Sequence, residues 1–461
     1  FQIGNIASMV IIGGFLFCQA LQGAAIREAQ AQRISGKIQL DGVLDEPVWR
    51  DAPDIGPLVQ AVPRPGEPPT EPTQVWLAYN ADALYIAVRC HDSHPRQIVA
   101  TQMGRDAFLV SDDHIEIVLD TYHDHRNAYY FSTNPAGALV DGRVTENQFA
   151  TYEWDGIWNV RTRTGEGSWT AEFEIPFKTL GFDPNQASWG FNFSRYLARA
   201  NEFSRWASPS LNVFLYRVAV AGDITGLSGL SQGAGLDVKP YGITGFTRDI
   251  ERAGRVKGDG DAGLDIFYRV TSNLVSSTTF NTDFAETEAD VRQVNLTRFD
   301  LFYPEKRTFF LEDAGIFEFA PMGASRLMGL LMPAPDLIPF FSRRIGLIQG
   351  KETPIRFGEK LSGKVGRFDI GLMDVQTDDL TEEDQLLAAS RNLALGRVKA
   401  NFLSQSYVGA IFTNGDPEGR TNNRLGGLDM KLATSNFLNR GKNLSLTLFG
   451  PDGWRGASHC C

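Results

Sequence analysis

Between Asp112 and Gly142 the chain concentrates side chains that bind cations or polyols. Asp112 and Asp113 open the stretch. Asp120, His123, Asp124 and His125 then crowd one loop, followed by Arg126, an aromatic run Tyr129, Tyr130 and Phe131, and Asn134. Neighbouring carboxylates repel one another unless a cation offsets them, and calcium is held by carboxylate and carbonyl oxygens. Asp112, Asp113 and Asp120 are therefore the expected calcium ligands, with turn formation as the alternative role for the first two. His123, His125, Asp120 and Asp124 could form a zinc site or be solvated loop residues. Trp154 and Trp158 flank Asp155-Gly156. An indole in such a loop either stacks on a sugar ring or packs inward. With Asn134 and Arg126 as hydrogen-bonding partners, they are the expected ligand-binding residues.

Catalytic chemistry is harder to find. Glu116 with Asp120, and Glu172 with Glu174, could serve as the acid and base of glycoside hydrolysis. These spacings equally place exposed carboxylates on the outer face of strands. No nucleophile elbow, phosphate loop or H-E-x-x-H helix is present, so catalytic residues stay unassigned.

The elements that must carry these residues read as strands. Ile115, Ile117 and Leu119 alternate with Glu116, Val118 and Asp120, the pattern of a half-buried strand. Val75 to Tyr79 and Leu84 to Arg89 form a hairpin about Asn80-Ala81-Asp82. Ala171, Phe173 and Ile175 share one face of a strand that Pro176 ends. Trp189 to Phe193 and Leu211 to Val220 supply further strands, and Trp49, Trp169 and Trp189 are expected in the core. Short strands at this spacing predict a β-sandwich over residues 32–225. With 44 Lys and Arg against 55 Asp and Glu, the net charge is −11, which excludes the basic face of a nucleic-acid binder.

Ile6 to Ala25 is largely apolar and precedes Ala29-Gln30-Ala31, so residues 1–31 read as a secretory signal cleaved after Ala31, with a membrane anchor as the alternative. Cys90 stands alone in the body of the chain, and no disulfide framework is expected.

After a linker at 226–235 the strand candidates lengthen: Leu236 to Asp249, Gly263 to Val270, Leu274 to Asn281, Ile355 to Gly363, Phe368 to Thr377, Asn392 to Phe402, Ser406 to Thr413, Arg424 to Ala433 and Asn443 to Phe449. Alternation over about 9 to 11 residues suits strands that cross a membrane better than a second sandwich. Residues 236–461 are thus expected to form a partial outer-membrane barrel. Glu305, Lys306, Arg307 and Glu312 lie among phenylalanines, in a segment folded into the lumen or rim by Arg–carboxylate pairs, or else in a plain hairpin. The tail from Gly450 is not expected to form a closing strand.

Asp41-Gly42, Asp45 to Trp49, the Val75 to Cys90 hairpin, Asp112 to Asp120, Asn127 to Asn134 and Trp154 to Trp158, in this order, resemble carbohydrate-binding module family 9. More closely, they resemble such a module fused to an uncharacterised bacterial outer-membrane β-barrel family, whose signature the Phe302 to Glu312 region also resembles. The resemblance implies an all-β chain: an N-terminal β-sandwich followed by an incomplete outer-membrane antiparallel β-barrel. It further implies binding of a poly- or oligosaccharide, with calcium bracing the loops, at the outer membrane of a Gram-negative bacterium. The module would face the periplasm or the surface, and binding would be linked to carbohydrate catabolism or uptake. An O-glycosyl hydrolase and a structural barrel with an adaptor module are the alternatives.

Overall fold

A computed structural model describes residues 26–148, 150–211, 213–248, 256–282, 305–320, 339–348, 351–382, 385–417, 423–438 and 442–455. The Ile6 to Ala25 segment lies outside the described residues, as do Phe302, Tyr303 and Pro304 and the last six positions.

The first half holds thirteen strands: β1 (Glu28–Gln30), β2 (Gln32–Arg33), β3 (Val59–Val62), β4 (Thr73–Tyr79), β5 (Ala83–His91), β6 (His114–Asp120), β7 (Ala128–Thr133), β8 (Val140–Val144), β9 (Asn159–Gly165), β10 (Ser168–Pro176), β11 (Trp189–Leu197), β12 (Glu202–Arg205) and β13 (Gly222–Thr225). They form an eight-stranded sheet, β1-β13-β11-β6-β7-β8 with β12 and β3 branching from β11, and a five-stranded sheet, β2-β4-β5-β10-β9. The two sheets enclose Ile115, Ile117, Phe131 and Phe193 against Leu77, Ile86, Val88 and Phe173. Trp49, Trp169 and Trp189 are buried.

Three sequence expectations are corrected here. β6 is buried along its whole length rather than half-buried, because the 105–110 and 213–220 segments cover its second face through Leu109, Leu215 and Val218. Within the expected Leu211 to Val220 strand, residues 213–220 are accordingly a covering loop with one short 3-10 turn, Val218–Val220, and not a strand. The sandwich also begins at Glu28, since β1 pairs in parallel with β13 and Ala29 and Ala31 lie in the core. Cleavage after Ala31 would remove a strand.

The second half adds β14 (Leu236–Arg248), β15 (Val256–Thr271), β16 (Leu274–Phe280), β17 (Leu347–Ile348), β18 (Lys351–Glu352), β19 (Ile355–Val365), β20 (Phe368–Thr377), β21 (Leu380–Glu382), β22 (Gln385–Ala388), β23 (Asn392–Phe402), β24 (Ser406–Asn414), β25 (Asn423–Phe437) and β26 (Lys442–Arg455). Nine of these form one antiparallel sheet, β14-β15-β16-β19-β20-β23-β24-β25-β26, whose end strands do not pair with each other. The fold is thus all-β, with no closed barrel among the described residues. β26 continues to Arg455, paired with Asn423, so 450–455 extend the strand expected to end at Phe449.

The two faces of this sheet differ in chemistry. One buries Lys360, Ser362, Arg397, Lys399, Tyr407 and Asp429, while the other exposes Leu372, Val398, Phe412, Leu428, Leu446 and Leu448. The 305–320 segment folds onto the buried face, where Phe309, Phe310 and Phe317 pack on Met373, Val375, Leu395 and Ile411. Arg307 makes a forked contact with Glu305, Nη2 to Oε2 at 2.7 Å, and donates to the carbonyls of Ser342 and Ile345. Of the two readings of this segment, the folded one held by an Arg–carboxylate pair is observed.

Candidate functional site

The expected ligand residues serve the fold. Trp154 is 9% and Trp158 3% exposed. Trp158 stacks on Phe173 at 5.8 Å and meets Phe131 edge-on, and Trp154 packs on Tyr129. Neither indole face is available to a sugar. Trp158→Ala should therefore cost about 3–5 kcal/mol of stability, measured by thermal or denaturant unfolding. Asn134 is fully buried, donating to Gln102 O and Asp112 and accepting from the amides of Ala136 and Ala138. Arg126 donates to Asn401 Oδ1 (2.8 Å) and to the carbonyls of Leu403 and Ser406 in the nine-stranded sheet, so it is a docking residue.

The calcium set does not fit either. Asp112 accepts from the amides of Thr101 and Gln102 and from the Thr101 hydroxyl. Burial opposes its charge, but these bonds and that from Asn134 hold its carboxyl below the usual range. Asp113 accepts from the amides of Val99 and Ala198, and Asp120 from those of Asp124 and His125. Burial pushes both carboxyls up. Oxygens already facing N–H donors are poor ligands for a hard cation.

Two acidic groups do converge elsewhere, Glu71, Asp92 and His94, and Asp106, Asp141 and Asp155. Each contains an arginine. Arg199 contacts Glu71 and Asp92, and Arg105 lies 2.6 Å from Asp141 and 2.7 Å from Asp155. A guanidinium stands where the charge balance would otherwise call for a metal. Of the zinc set, His123 bonds Asp223 at 2.9 Å and Asp124 pairs with Lys364.

Each candidate acid–base pair also has one member tied into the fold. Asp120 is engaged as above, and Glu172 accepts from the amides of Asp41 and Gly42 and from Trp49 Nε1. Burial raises the Glu172 carboxyl to about 7. The folded state therefore holds a proton that the unfolded chain releases near its ordinary pKa. That contribution is complete at low pH and is lost as pH rises through about 7. Glu172→Gln should flatten the stability profile between pH 5 and 8, removing a slope worth at most about 2–3 kcal/mol. An unchanged slope in pH-dependent melting would refute this.

A different constellation lies on the outer face of the larger sheet. Register places Ser132, Glu116, Ser194 and Arg205 in one row across β7, β6, β11 and β12. Paired residues of antiparallel strands share a face, so these four side chains point the same way. Tyr130, one row along, donates its hydroxyl to Glu116 at 3.0 Å. The Tyr152 and Tyr216 rings pack against it at 5.6 and 5.5 Å, their hydroxyls 3.1 Å apart. On the other side His114, Tyr196 and Phe203 make a second aromatic group.

Burial lowers the Arg205 pKa, and nearby Glu116 and Tyr216 work to raise it. Arg205 donates through Nη1 to Val213 O. Its Nε and the Ser194 hydroxyl are buried with no hydrogen-bond partner among the described residues, an arrangement that costs free energy unless something completes it. The row offers a carboxylate acceptor, guanidinium and hydroxyl donors and flanking aromatic rings, the chemistry that grips a polyhydroxylated ring.

The depression lined by Arg33, Ser35, Asn80 and Asp82 is a weaker competitor. Its Asn80 is already spent on Gly36 O and on the amides of Asp82 and Ala83. Sequence reasoning singled out Glu116 but missed Ser194 and Arg205. They become neighbours only through register.

Residues 40–206 match the family model described as carbohydrate family 9 binding domain-like, and the whole row falls within them. Residues 234–353 match a domain of unknown function (DUF5916). No curated protein matches the chain. Among solved structures, a family 9 carbohydrate-binding module from Caldicellulosiruptor kristjanssonii in complex with cellotriose is similar. It is 18% identical, with 44% of this chain and 95% of that one covered and a TM-score of 0.32. The family 9 module from that organism in complex with glucose gives 19%, 45%, 98% and 0.31. A Bacteroides uniformis ATCC 8492 protein gives 14%, 44%, 99% and 0.37.

Proposed function

We propose that this chain captures a poly- or oligosaccharide at the buried polar row of Glu116, Ser194 and Arg205, beneath the 105–110 and 213–220 segments, while its second half holds it in an outer membrane. The observation that carries the first part is the buried polar row with unsatisfied donors beside three tyrosine rings, within the segment that matches a carbohydrate-binding family. Binding rather than turnover is the reading, because each candidate acid–base pair has one member, Asp120 or Glu172, committed to the fold. Capture of this kind serves uptake or degradation carried out by other proteins.

The membrane part is supported by the inverted chemistry of the nine-stranded sheet. Leucine, valine and phenylalanine stand exposed on one face while lysine, arginine and aspartate are buried on the other. A water-soluble sheet would do the reverse, whereas strands facing lipid follow this alternation. A leader at Ile6 to Ala25 would deliver the chain for export, provided cleavage falls before Glu28.

The test is binding of the full chain in detergent to a panel of polysaccharides and cello-oligosaccharides, with released reducing ends assayed in parallel. Saturable binding without release is expected, and a chelator should leave the affinity unchanged within about twofold, since arginines fill the acidic clusters. Release of reducing ends that is lost in Glu116→Gln would replace capture with hydrolysis. Absence of any binding would remove the saccharide reading.

A further inference from the structure

The connections of the nine-stranded sheet are of two kinds. The strands are joined at one end by short connections, 272–273, 366–367, 403–405 and 438–441, and at the other by longer ones, 249–255, 281–354, 378–391 and 415–422. Among the described residues, the hydrogen bonds and ion pairs from these strands to the sandwich lie near the short-connection end. Arg269 donates to the carbonyls of Leu180 (2.9 Å) and Lys178 (3.1 Å), and Lys364 pairs with Asp124. Arg126 reaches the 401–406 turn, Arg217 meets Ser435 at 3.4 Å, and Lys431 donates to Glu146.

The joint is tight and charged. Glu146, 2% exposed, faces Lys399 at 3.6 Å and Lys431 at 3.3 Å. Gly315 of the inner segment lies so near Thr145 that a Cβ would sit 2.5 Å from its side chain. A loose tether would not bury these charges together. Outer-membrane strands are joined by short turns on the periplasmic side and long loops outside.

We infer that the sandwich is docked on the periplasmic mouth of the sheet, so that its Glu116–Ser194–Arg205 row takes a soluble oligosaccharide already inside the outer membrane rather than a polymer at the cell surface. This rests on the membrane reading above and adds its direction. The 305–320 segment sits on the inner face between the two parts, contributing Asp313 to Arg143 (3.5 Å) and Gly315 O to Lys399 (3.3 Å).

Single cysteines test it in the full chain, expressed in a Gram-negative host with Cys18, Cys460 and Cys461 changed to Ser; Cys90 is buried and can stay. Glu166→Cys probes an exposed turn of the sandwich, and Ala389→Cys an exposed position in the 378–391 connection. With a membrane-impermeant maleimide, Ala389→Cys should label on intact cells. Glu166→Cys should label at least tenfold less until the outer membrane is permeabilised. Labelling of Glu166→Cys on intact cells, with the protein fractionating in the outer membrane, overturns the direction and leaves the membrane reading standing. Fractionation away from the outer membrane overturns both. Ser93→Cys is a second sandwich probe, should Glu166→Cys fail to accumulate.

Discussion

Glu146→Ala should separate the two halves of the molecule without unfolding the sandwich. The carboxylate is buried between two lysines whose side chains are 2% and 10% exposed. Burial opposes its charge, and Lys399, Lys431 and Arg126 outweigh that and hold its carboxyl below the usual range. Removing one member of a buried charge group leaves the rest uncompensated, at about 3–5 kcal/mol. Glu146 lies outside the sandwich strands, and the core around Ile117, Phe131 and Phe173 does not include it. The expected result is that one thermal transition in detergent splits into two, with faster proteolysis near 226–235. Changing Lys399 and Lys431 to Met in the Glu146→Ala background should restore part of the loss. A single unshifted transition would show that the charges carry no docking energy. Because the folded pKa is lowered, the same contribution is present above the ordinary carboxylate range and is lost as pH falls through the depressed value.

Arg205→Ala should weaken saccharide binding sharply while the sandwich stays folded. The side chain's own hydrogen bond is a single contact with Val213 O, and Glu116 is the nearby carboxylate that supports its charge, so some stability is lost as well. Hydrogen bonds from a charged donor contribute about 1.5–3 kcal/mol each, which predicts weakening of about 10- to 150-fold. Arg205→Lys should recover only part of it, since the ammonium lacks the guanidinium fork. Glu116→Gln keeps the shape and should weaken binding about tenfold. Wild-type affinity in Arg205→Ala would place the ligand elsewhere.

The layers of this fold are legible in the sequence, because period-two alternation and turn residues report local backbone directly. β4, β5 and β10 and most of the long strands after 236 follow on that basis, although β15 begins seven residues before Gly263 and β26 runs six past Phe449. Features that depend on distant partners were not legible. Trp154 and Trp158 do sit in a loop, but nothing local says that their rings turn inward onto Phe131 and Phe173. The acids near Asp112 suggest a cation, while the amides that saturate them and the arginines that neutralise the other clusters, Arg105 and Arg199, come from elsewhere. β1 was hidden because Ala29-Gln30-Ala31 satisfies a cleavage pattern as well as a parallel edge strand. The row of Ser132, Glu116, Ser194 and Arg205 draws on four strands, so its adjacency exists only once register is set.

The most direct test of the Glu116–Ser194–Arg205 site is amide hydrogen exchange of the full chain with and without a saturating saccharide from the panel. The account predicts added protection in residues 105–116, 130–132, 194–206 and 213–216, with none at Arg33 to Ser35 or Asn80 to Asp82. Protection confined to that second depression, or to the 154–158 loop, would contradict it.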